Sequence, residues 1–519
     1  METFATLLDR LVYTPQRNGK IKLIRDFLRD TPDPDRGYGL AVLAGAIKLR
    51  SVGYAALRER IMARTDPVLF RLSYDYVGDF AETVSLLWPP RPRNTPVPSL
   101  TEVFEDLSSL TKNEALAQVE AWLDVLDVNG RYGLIKLLTG GLRVGVSARL
   151  AKVAFADAFA MQVDDVEEVW HAMQPPYQPL FDWATGRADK PNLSALPVFR
   201  PFMLANPLEE QDINFADYVA EWKWDGIRVQ LVRVGAETRL YSRTGDDISA
   251  GFPDIVTALD AEGIVDGELL VRGEGGEPAP FNELQQRLNR KTVSAAMLNK
   301  YPAFIRLYDI LFDGKTDVRD QPLLQRRKVL EAFARQLPEQ RFDISHMLNV
   351  ADRDALEALR QEARQTGMEG LMLKRKDSAY EAGRKQGLWF KWKRDPLLAD
   401  TVLMYAQRGH GKRSSFYSDF TFGAWDDGEL KPVGKAYFGF TDDELKQLDK
   451  WVRANTVNRY GPVREVEKAL CLEVAFDSVH RSPRHKSGIA MRFPRIHRIR
   501  WDKPASEADP LSVLKSMIE

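Results

Sequence analysis

The chain has 519 residues, 44% of them hydrophobic and 28% charged, which is the composition of a soluble protein with about two to four domains. Its net charge of −1 gives no sign of nucleic-acid binding, and its one cysteine, Cys471, excludes internal disulfides and a multi-cysteine zinc site. Because no apolar run could cross a membrane and the first residues form no signal peptide, we expect a cytoplasmic protein with no membrane association.

The first third of the chain has the pattern of an all-α domain. Residues 1 to about 172 show little strand-like alternation, and apolar side chains recur at helical spacing over 101–126. A proline-rich, irregular stretch over 174–207 follows. This stretch predicts a connection between domains.

The middle of the chain, from about 208 to 395, has short apolar strands separated by glycine-containing turns. The predicted strands lie at 227–234, 264–271, 304–312 and 371–373. Helical patterns intervene at about 281–299 and 322–336. This texture predicts a mixed α/β domain with antiparallel strands.

The last part of the chain has the pattern of a small β-barrel. Strands are predicted at 401–405, 416–425, 470–479 and 496–501. One helix interrupts them, and it begins at a capping box formed by Thr441 and Glu444. A five-stranded barrel with one helix is typical of an OB-fold.

The segment that says most about function is Glu-Trp-Lys-Trp-Asp-Gly-Ile-Arg at 221–228, which has the form Lys-x-Asp-Gly-x-Arg around Lys223. A lysine is a nucleophile only when deprotonated, so it needs neighbours that change its state, and Glu221 and Asp225 flank it. Gly226 allows close approach of the backbone to a ligand, and Arg228 is a fixed cation suited to phosphate. Taken alone, the segment could also be an ordinary charged turn between two strands.

Six further segments follow Lys223 along the chain and contain residue types that suit phosphate chemistry. They are Ser-Arg-Thr-Gly at 242–245, Asp-Gly-Glu-Leu at 266–269, Leu-Tyr-Asp-Ile at 307–310, Glu-Gly-Leu-Met-Leu-Lys at 369–374, Trp-Phe-Lys-Trp-Lys at 389–393 and the arginine-rich run at 492–503. Each alone is more often a turn, a core strand or a solvated face. Their common order after Lys223 favours a site, and strand periodicity predicts that Lys391 and Lys393 share one face while Phe390 and Trp392 face the core.

This series resembles the motifs of the covalent nucleotidyltransferases, which are DNA ligases, RNA ligases and mRNA capping enzymes. The resemblance implies that Lys223 attacks the α-phosphate of a nucleotide and carries the nucleoside monophosphate. It implies that Tyr308 stacks on the purine and that Glu268 and Glu369 hold Mg²⁺, which Mn²⁺ could replace. The nucleotide-binding residues that it implies are Glu221, Arg228, Arg243, Glu268, Tyr308, Lys385, Lys391, Lys393, Arg500 and Lys503. The family often has an arginine where this chain has Lys385, so either Lys385 or Arg384 is the nucleotide contact.

The N-terminal region resembles the helical DNA-binding domain of larger ATP-dependent DNA ligases. The similar segments are 4–11, 14–20 and 140–150, where glycines such as Gly140 and Gly141 would let backbone amides approach phosphates. Arg143, Arg149 and Lys152 are the predicted DNA-binding residues. A helical hairpin with incidental arginines is the alternative for this region.

Nearly the whole chain therefore resembles the three-domain ATP-dependent DNA ligases, and the short N-terminus favours a prokaryotic member. The implied fold is multidomain. It has an all-α DNA-binding domain with its proline-rich linker over 1–200, an α/β nucleotidyltransferase (ATP-grasp-like) domain over 201–395 and an OB-fold β-barrel over 396–519. A single cysteine argues against the NAD-dependent ligases, which typically carry a four-cysteine zinc module.

The resemblance implies an enzyme that seals nicks between a 5′-phosphate and a 3′-hydroxyl in duplex DNA, with ATP as cofactor. Its expected roles are in DNA replication, repair or recombination. Lys223 takes AMP from ATP, AMP passes to the 5′-phosphate, and the 3′-hydroxyl displaces it. We expect a monomer that acts on nicked double-stranded DNA and associates with the nucleoid through this DNA. The sequence identifies no protein partner. An RNA ligase or a capping-type guanylyltransferase is the alternative enzyme, and a non-catalytic nick-binding scaffold is the alternative of another class.

Overall fold

A computed structural model of the chain describes every residue except 50, 51, 93, 141, 209–212, 289, 291, 349–351, 365, 366, 410–415 and 519. Gly141, from the predicted DNA-binding segment, lies outside the described residues. The chain divides into two compact units. The first comprises Met1–Val163, Gln174–Asp189 and Pro396–Glu519, and the second comprises Asp164–Met173 and Lys190–Asp395. The domain boundaries expected from the sequence stay a prediction.

The N-terminal region is helical, as the sequence predicts. The helices are α1 (Glu2–Tyr13), α2 (Arg17–Asp30), α3 (Asp35–Leu43), α4 (Tyr54–Met62), α5 (Pro67–Val77), α6 (Phe80–Leu87), α7 (Leu100–Ser109), α8 (Lys112–Val125), α9 (Val128–Thr139), α10 (Ala148–Ala158), α11 (Val163–Trp170) and α12 (Gln178–Ala184). Capping boxes begin α7 at Ser99 and α8 at Thr111, which fixes both starts. None of the described helices is long and apolar enough to span a bilayer.

The second unit is built from two sheets with short helices around them. Its strands are β1 (Asn206–Pro207), β2 (Tyr218–Lys223), β3 (Ile227–Val234), β4 (Glu237–Ser242), β5 (Gly263–Val271), β6 (Ala303–Asp313), β7 (Thr316–Asp317), β8 (Phe342–Ile344), β9 (Met347–Leu348), β10 (Gly370–Arg375) and β11 (Trp389–Lys393). Its helices are α13 (Pro253–Val256), α14 (Phe281–Gln285), α15 (Ala295–Lys300), α16 (Leu323–Ala334) and α17 (Arg353–Glu362). One sheet has the order β1-β11-β10-β2-β9, and the other has the order β4-β3-β5-β6-β7 with β8 parallel to β6.

The helical pattern at about 281–299 does not form one continuous helix. The chain forms two short helices there, α14 and α15. Between them the buried guanidinium of Arg287 donates to the carbonyl oxygens of Gly251 and Tyr301, at 3.0 and 2.9 Å. Because a buried arginine must find such partners, these tertiary bonds override the helical pattern of the sequence.

The C-terminal region folds into the OB-type barrel that the sequence predicts, with more strands and one more helix. Its strands are β12 (Leu397–Arg408), β13 (Tyr417–Asp426), β14 (Glu429–Ala436), β15 (Thr456–Tyr460), β16 (Val463–Val466), β17 (Cys471–Phe476), β18 (Ser478–Arg481), β19 (Ile489–Arg492) and β20 (Arg495–Arg500). Its helices are α18 (Asp442–Ala454) and α19 (Leu511–Ser516), and α18 begins at the predicted capping box of Thr441 and Glu444.

The barrel curls because its first strand is long and serves several neighbours. β12 pairs with β13 on one edge and with β16 and then β17 on the other. β20 pairs with β17, and the N–H of Ile496 in β20 donates to the carbonyl of Phe438 beyond β14 at 3.1 Å. Gly439 makes this approach possible, since a Cβ there would lie 2.1 Å from the carbonyl oxygen of Ile496.

Candidate active site

Lys223 lies where the chain leaves one sheet of the second unit and enters the other. It ends β2, and after residues 224–226 the chain begins β3 in the second sheet. Gly226 packs tightly against β5, because a Cβ at this position would lie 2.5 Å from the carbonyl oxygen of Leu269. The glycine of the Lys-x-Asp-Gly-x-Arg pattern therefore permits the close crossing that fixes the end of β2.

Glu369 is the partner of Lys223 across the sheet. It immediately precedes β10, where Gly370 is opposite Lys223, and its N–H donates to the carbonyl of Lys223 at 2.9 Å. The Lys223 ammonium donates to the Glu369 carboxylate, and the Lys393 Nζ lies 3.7 Å from the same oxygen. Burial alone would raise the pKa of Glu369, but the charges of Lys223 and Lys393 and the hydrogen bond from Lys223 hold this pKa well below its usual value.

β11 has the alternation that the sequence predicts. Phe390 is buried in an apolar cluster, and Trp392 packs against the same cluster. Lys391 and Lys393 alternate with them and are half-buried and exposed, respectively. The period of two along the strand therefore places both ammonium groups on the face that carries Glu369.

Positive charges converge on Lys391. Burial lowers the pKa of its ammonium, and so do the charges of Arg384, Arg243, Lys223 and Lys393. Such a gathering of like charges is unfavourable until an anion joins it. The arrangement can therefore bind a polyphosphate, which would bring several negative oxygens to this one place.

Arg384 and Lys385 have different surroundings, which bears on the alternative that the sequence left open. Lys385 Nζ lies 3.5 Å from a carboxylate oxygen of Asp164 and 3.9 Å from one of Glu381. Arg384 is exposed and contributes to the positive field at Lys391. The geometry thus associates Arg384, rather than Lys385, with the cations around Lys223.

Glu268, on β5, is the second carboxylate of the site. Burial raises its pKa to about 8, and the negative charges of Glu369 and Asp225 act in the same direction, against Lys223 and Arg228. The described residues contain no cluster of three or more His, Cys, Asp or Glu side chains arranged for a metal. Two neighbouring carboxylates fit Mg²⁺, since this ion is usually held by one or two carboxylates together with water and substrate phosphates.

Glu221 and Tyr308 lie beside a lysine that the sequence argument missed. Lys374 Nζ donates to the Glu221 carboxylate at 2.9 Å, and both side chains are only 2% exposed. The ammonium also lies 4.5 Å from the centre of the Tyr308 ring and 4.7 Å from that of Trp389. The available signal was a lysine at the end of the apolar strand Gly-Leu-Met-Leu-Lys, because a buried lysine requires a charged partner.

Several residues of the second unit contact the Arg228 guanidinium. Its guanidinium donates to Asp266 at 2.9 Å and to the carbonyl of Met203 at 2.6 Å, and it lies 4.1 Å from the centre of the Phe202 ring. Asp266 also accepts from the hydroxyl of Tyr380 at 2.5 Å. These contacts fix Arg228 in one orientation, and sequence reasoning did not find Asp266 or Tyr380.

Arg500 and Lys503, in the first unit, come together on one carboxylate. Asp400 on β12 accepts from Lys503 Nζ at 2.7 Å and from Arg500 Nη1 at 3.3 Å. Arg500 also donates to Asp502 at 2.9 Å. Asp400 lies outside the motifs of the sequence, so these contacts could not be predicted.

The helical region of the first unit brings two of the predicted DNA-binding segments together. The Lys20 ammonium donates to the carbonyls of Val144 and, at 3.2 Å, Gly145. A cleft of about 300 Å³ results, with the N-termini of α2 and α10 at its walls. The residues that line it are Pro15, Arg17, Lys20, Gly145, Ser147, Arg149 and Leu150. Helix N-termini with arginines form a suitable surface for phosphate.

The three predicted DNA-binding cations differ in exposure. Arg143 and Arg149 are exposed. Lys152, one turn further along α10 than the cleft, is only 9% exposed. The two arginines are therefore at the surface of the helical region, whereas Lys152 is buried in it.

Comparisons with known proteins show the family of the chain. The family model for the ATP dependent DNA ligase domain matches residues 202–393, and that for the ATP dependent DNA ligase C terminal region matches residues 413–503. A probable DNA ligase of Koribacter versatilis is 32% identical, over 98% of this chain and 95% of its own length. The chain belongs to the ATP-dependent DNA ligase family. A DNA ligase 1 of Korarchaeum cryptofilum is 29% identical, over 100% of this chain and 98% of its own length.

A solved structure supports the three-part fold of an ATP-dependent DNA ligase. Pmar-Lig_Pre superposes with a TM-score of 0.60 at 17% identity, over 96% of this chain and 99% of its own length. The expected family, fold class and enzyme class are confirmed, and so is ATP as the nucleotide. The relatives favour a DNA ligase over an RNA ligase, a capping-type guanylyltransferase or a non-catalytic scaffold.

Glu268 gives the metal-free ligase a testable pH dependence. An unperturbed glutamate titrates at 4.5, whereas burial raises the pKa of Glu268 to about 8 in the folded state. Between these values the folded state keeps a proton that the unfolded state releases, so the stability contributed by Glu268 falls as pH rises from 4.5 to about 8. We expect Glu268→Gln to remove this decline and to be more stable than wild type above pH 8 in EDTA, as measured by urea unfolding.

A matched control is Glu339→Gln, which removes an exposed carboxylate from the same unit. It should keep the wild-type dependence of stability on pH. Indistinguishable pH profiles for Glu268→Gln and wild type would contradict the buried, perturbed carboxyl.

Proposed function

We propose that Lys223 is the residue that carries AMP in this ligase, and that the residues around it perform the chemistry of nick sealing. The observation that carries the proposal is the position of the Lys223 ammonium, which contacts Glu369 and belongs to the set of cations converging on Lys391. A nucleophile at the rim of a cationic surface is where a triphosphate would present its α-phosphorus.

The cations near Lys223 have the role of holding the phosphates. Lys391, Lys393 and Arg243 supply charge where the α-phosphate oxygens gain negative charge during transfer. Arg384 joins them in place of Lys385, because the latter is paired with acidic groups. The positive charges of these groups would stabilise the transferring phosphoryl group.

The nucleoside lies against the other side of the site. Tyr308 offers the aromatic surface for the purine, and Glu221 offers a buried carboxylate held by Lys374. Arg228 supports this wall, because its bonds to Asp266 and Met203 tie β3 to its neighbours. A fixed wall positions the α-phosphate relative to Lys223.

Glu268 and Glu369 are the residues that would hold Mg²⁺, or Mn²⁺ in its place. A divalent cation there would neutralise phosphate charge and relieve the repulsion between the two carboxylates that contributes to the raised pKa of Glu268. Glu369 has a second role in this scheme, since it accepts a hydrogen bond from Lys223 and orients its nitrogen.

Three steps follow. The unprotonated Lys223 nitrogen attacks the α-phosphorus of ATP, and the bond to pyrophosphate breaks while Arg500 and Lys503 neutralise the leaving group. The 5′-phosphate of a nick then attacks the AMP phosphorus, and the bond to Lys223 breaks. Finally the 3′-hydroxyl attacks the activated 5′-phosphate, loses its proton and displaces AMP.

The helical region supplies affinity for duplex DNA through its sugar–phosphate backbone. Arg143, Arg149 and the cleft between the N-termini of α2 and α10 are the proposed phosphate contacts, with Lys152 supporting α10 from its enclosed position. We propose that one chain is sufficient for sealing, because every role above is assigned within this chain. Recognition of the backbone alone suits an enzyme that must act at nicks of any sequence.

The experiment that tests the proposed nucleophile is self-adenylylation with ATP labelled at the α-phosphate. We expect Lys223→Ala to yield no labelled protein band, because Lys223 is the only lysine of this sequence that stands in a Lys-x-Asp-Gly-x-Arg pattern. The variant should still seal a nick that already carries AMP, since this last step does not use the lysine. Lys376→Ala, which removes an exposed-surface hydrogen bond to the carbonyl of Ala216, is the control and should label normally. A labelled band in Lys223→Ala would overturn the assignment.

The neighbouring residues Arg384 and Lys385 form a matched pair for the phosphate contact. We expect Arg384→Ala to slow AMP loading roughly tenfold or more, because it removes a charge-assisted phosphate contact. Lys385→Ala should change loading less than twofold, as expected for an exposed ion pair of roughly 1 kcal/mol or less. Single-turnover loading rates measure both. The reverse order of effects would assign the contact to Lys385.

The proposed DNA contacts can be tested by the dependence of nick binding on salt. We expect Arg143→Ala/Arg149→Ala to weaken binding of nicked duplex roughly tenfold or more and to reduce the slope of log K against log[salt] by about two, one for each lost phosphate contact. AMP loading should stay near normal. Arg71→Ala, at an exposed arginine on α5, is the control for net charge. An unchanged salt slope in the double variant would contradict the contact.

A further inference from the structure

Asp400 joins the two cations at the C-terminal end of the barrel through a single oxygen. Its Oδ2 accepts from Lys503 Nζ at 2.7 Å and from Arg500 Nη1 at 3.3 Å. The Asp400 side chain is 11% exposed, and those of Arg500 and Lys503 are 20% and 21% exposed. One enclosed carboxylate therefore holds two partly exposed cations side by side.

The strand register explains why Asp400 can reach both. Asp400 on β12 is opposite Glu473 on β17, and Arg500 on β20 is opposite Cys471 on the same strand. The Asp400 side chain thus reaches across β17 to the end of β20. Arg500 also donates to Asp502 at 2.9 Å, and the carboxylate of Glu473 lies 3.9 Å away, so Asp400 is distinguished from them by its additional bond to Lys503.

Asp400 is itself held rigidly by its backbone. Its N–H donates to the Asp509 carboxylate at 2.8 Å, and its carbonyl accepts from the Asp509 N–H at 2.9 Å. The other carboxylate oxygen, Oδ1, is buried and has no hydrogen-bond partner among the residues that the structure describes. The side-chain hydrogen bonds described for this carboxylate are therefore those from the two cations.

We propose that Asp400 is a positioning residue for the first step of ligation, which keeps Arg500 and Lys503 together as a pair that neutralises pyrophosphate. This inference rests on the proposed role of Arg500 and Lys503 in that step. Long basic side chains lose conformational freedom when they bind, and two like charges repel each other. A carboxylate between them reduces both costs before the nucleotide arrives, which is preorganisation.

A purely structural role for Asp400 would have different consequences. A buried carboxylate that only stabilised the barrel would lower stability and all steps together when replaced. A positioning residue should instead affect the steps in which pyrophosphate is bound. These steps are AMP loading from ATP and its reversal, in which pyrophosphate removes AMP from Lys223 to regenerate ATP.

The test uses full-length Asp400→Asn and Asp400→Glu. We expect Asp400→Asn to raise the KM for pyrophosphate in the reverse reaction roughly tenfold and to slow AMP loading by a similar factor, the cost of ordering two rotamer-rich side chains. Sealing of a nick that already carries AMP should stay within about twofold of wild type. Asp400→Glu keeps the charge and should recover part of the loss. It also serves as the second variant if Asp400→Asn does not fold.

A matched control exists in the same barrel. Asp419 on β13 pairs with Lys435 at 2.9 Å, and it also has a buried Oδ1 without a hydrogen-bond partner among the described residues. Asp419→Asn therefore makes a comparable change away from Arg500 and Lys503. It should alter the unfolding temperature to a similar degree and leave the KM for pyrophosphate unchanged.

Arg500→Ala and Lys503→Ala, measured in parallel, separate the two levels of the proposal. If neither slows AMP loading, the proposed role of these cations fails, and the role of Asp400 fails with it. If both slow loading but Asp400→Asn has the wild-type KM for pyrophosphate, the inference about Asp400 alone is overturned. Equal losses in loading and in sealing of the AMP-bearing nick would also overturn it, because they indicate a structural role.

Discussion

The passage of the chain from one sheet to another within residues 224–226 is the constraint on which the candidate site depends. It requires a glycine, because Gly226 leaves no room for a Cβ beside the carbonyl of Leu269. Lys223 ends the strand before the crossing, and Arg228 lies near the start of the strand after it. Lys223, the proposed nucleophile, and Arg228 are thereby attached to different sheets at fixed positions. The Lys-x-Asp-Gly-x-Arg pattern therefore spans the end of β2, the crossing and the start of β3.

The Glu369 carboxylate balances part of the positive charge near the crossing, and we expect the substrate to balance more of it. Lys391 has a lowered pKa because burial and four other cations disfavour its charge, and Glu268 has a raised pKa because burial and two other carboxylates disfavour its own. A polyphosphate would satisfy the cations and a divalent ion would satisfy the carboxylates. The charges of Lys391 and Glu268 are therefore unfavourable in the protein without substrate, as is common at binding and catalytic sites.

Local patterns could be predicted from the sequence, and distant pairings could not. The strand at 227–234, the alternation of Lys391 and Lys393 with Phe390 and Trp392, and the capping box at Thr441 each depend on neighbours within a few residues. Lys374 with Glu221 and Asp400 with Lys503 are separated by 153 and 103 residues, so no local signal revealed them. The choice between Arg384 and Lys385 is of the same kind, because it depends on which residue meets Asp164 in the folded protein.

Carboxylate–cation pairs occur in each of the two units at different levels of exposure, and we expect exposure to separate their roles. Lys374 and Glu221 are each 2% exposed, so replacing either partner with a ligand would leave an uncompensated buried charge. Lys223 and Glu369 are 22% and 19% exposed, and Arg500 and Lys503 are 20% and 21% exposed. In these partly exposed pairs water can replace a departing partner, so a phosphate can compete with the carboxylate at modest cost. Buried pairs therefore fix the wall of the site, whereas the partly exposed pairs keep cations ordered and still able to exchange a carboxylate for a phosphate.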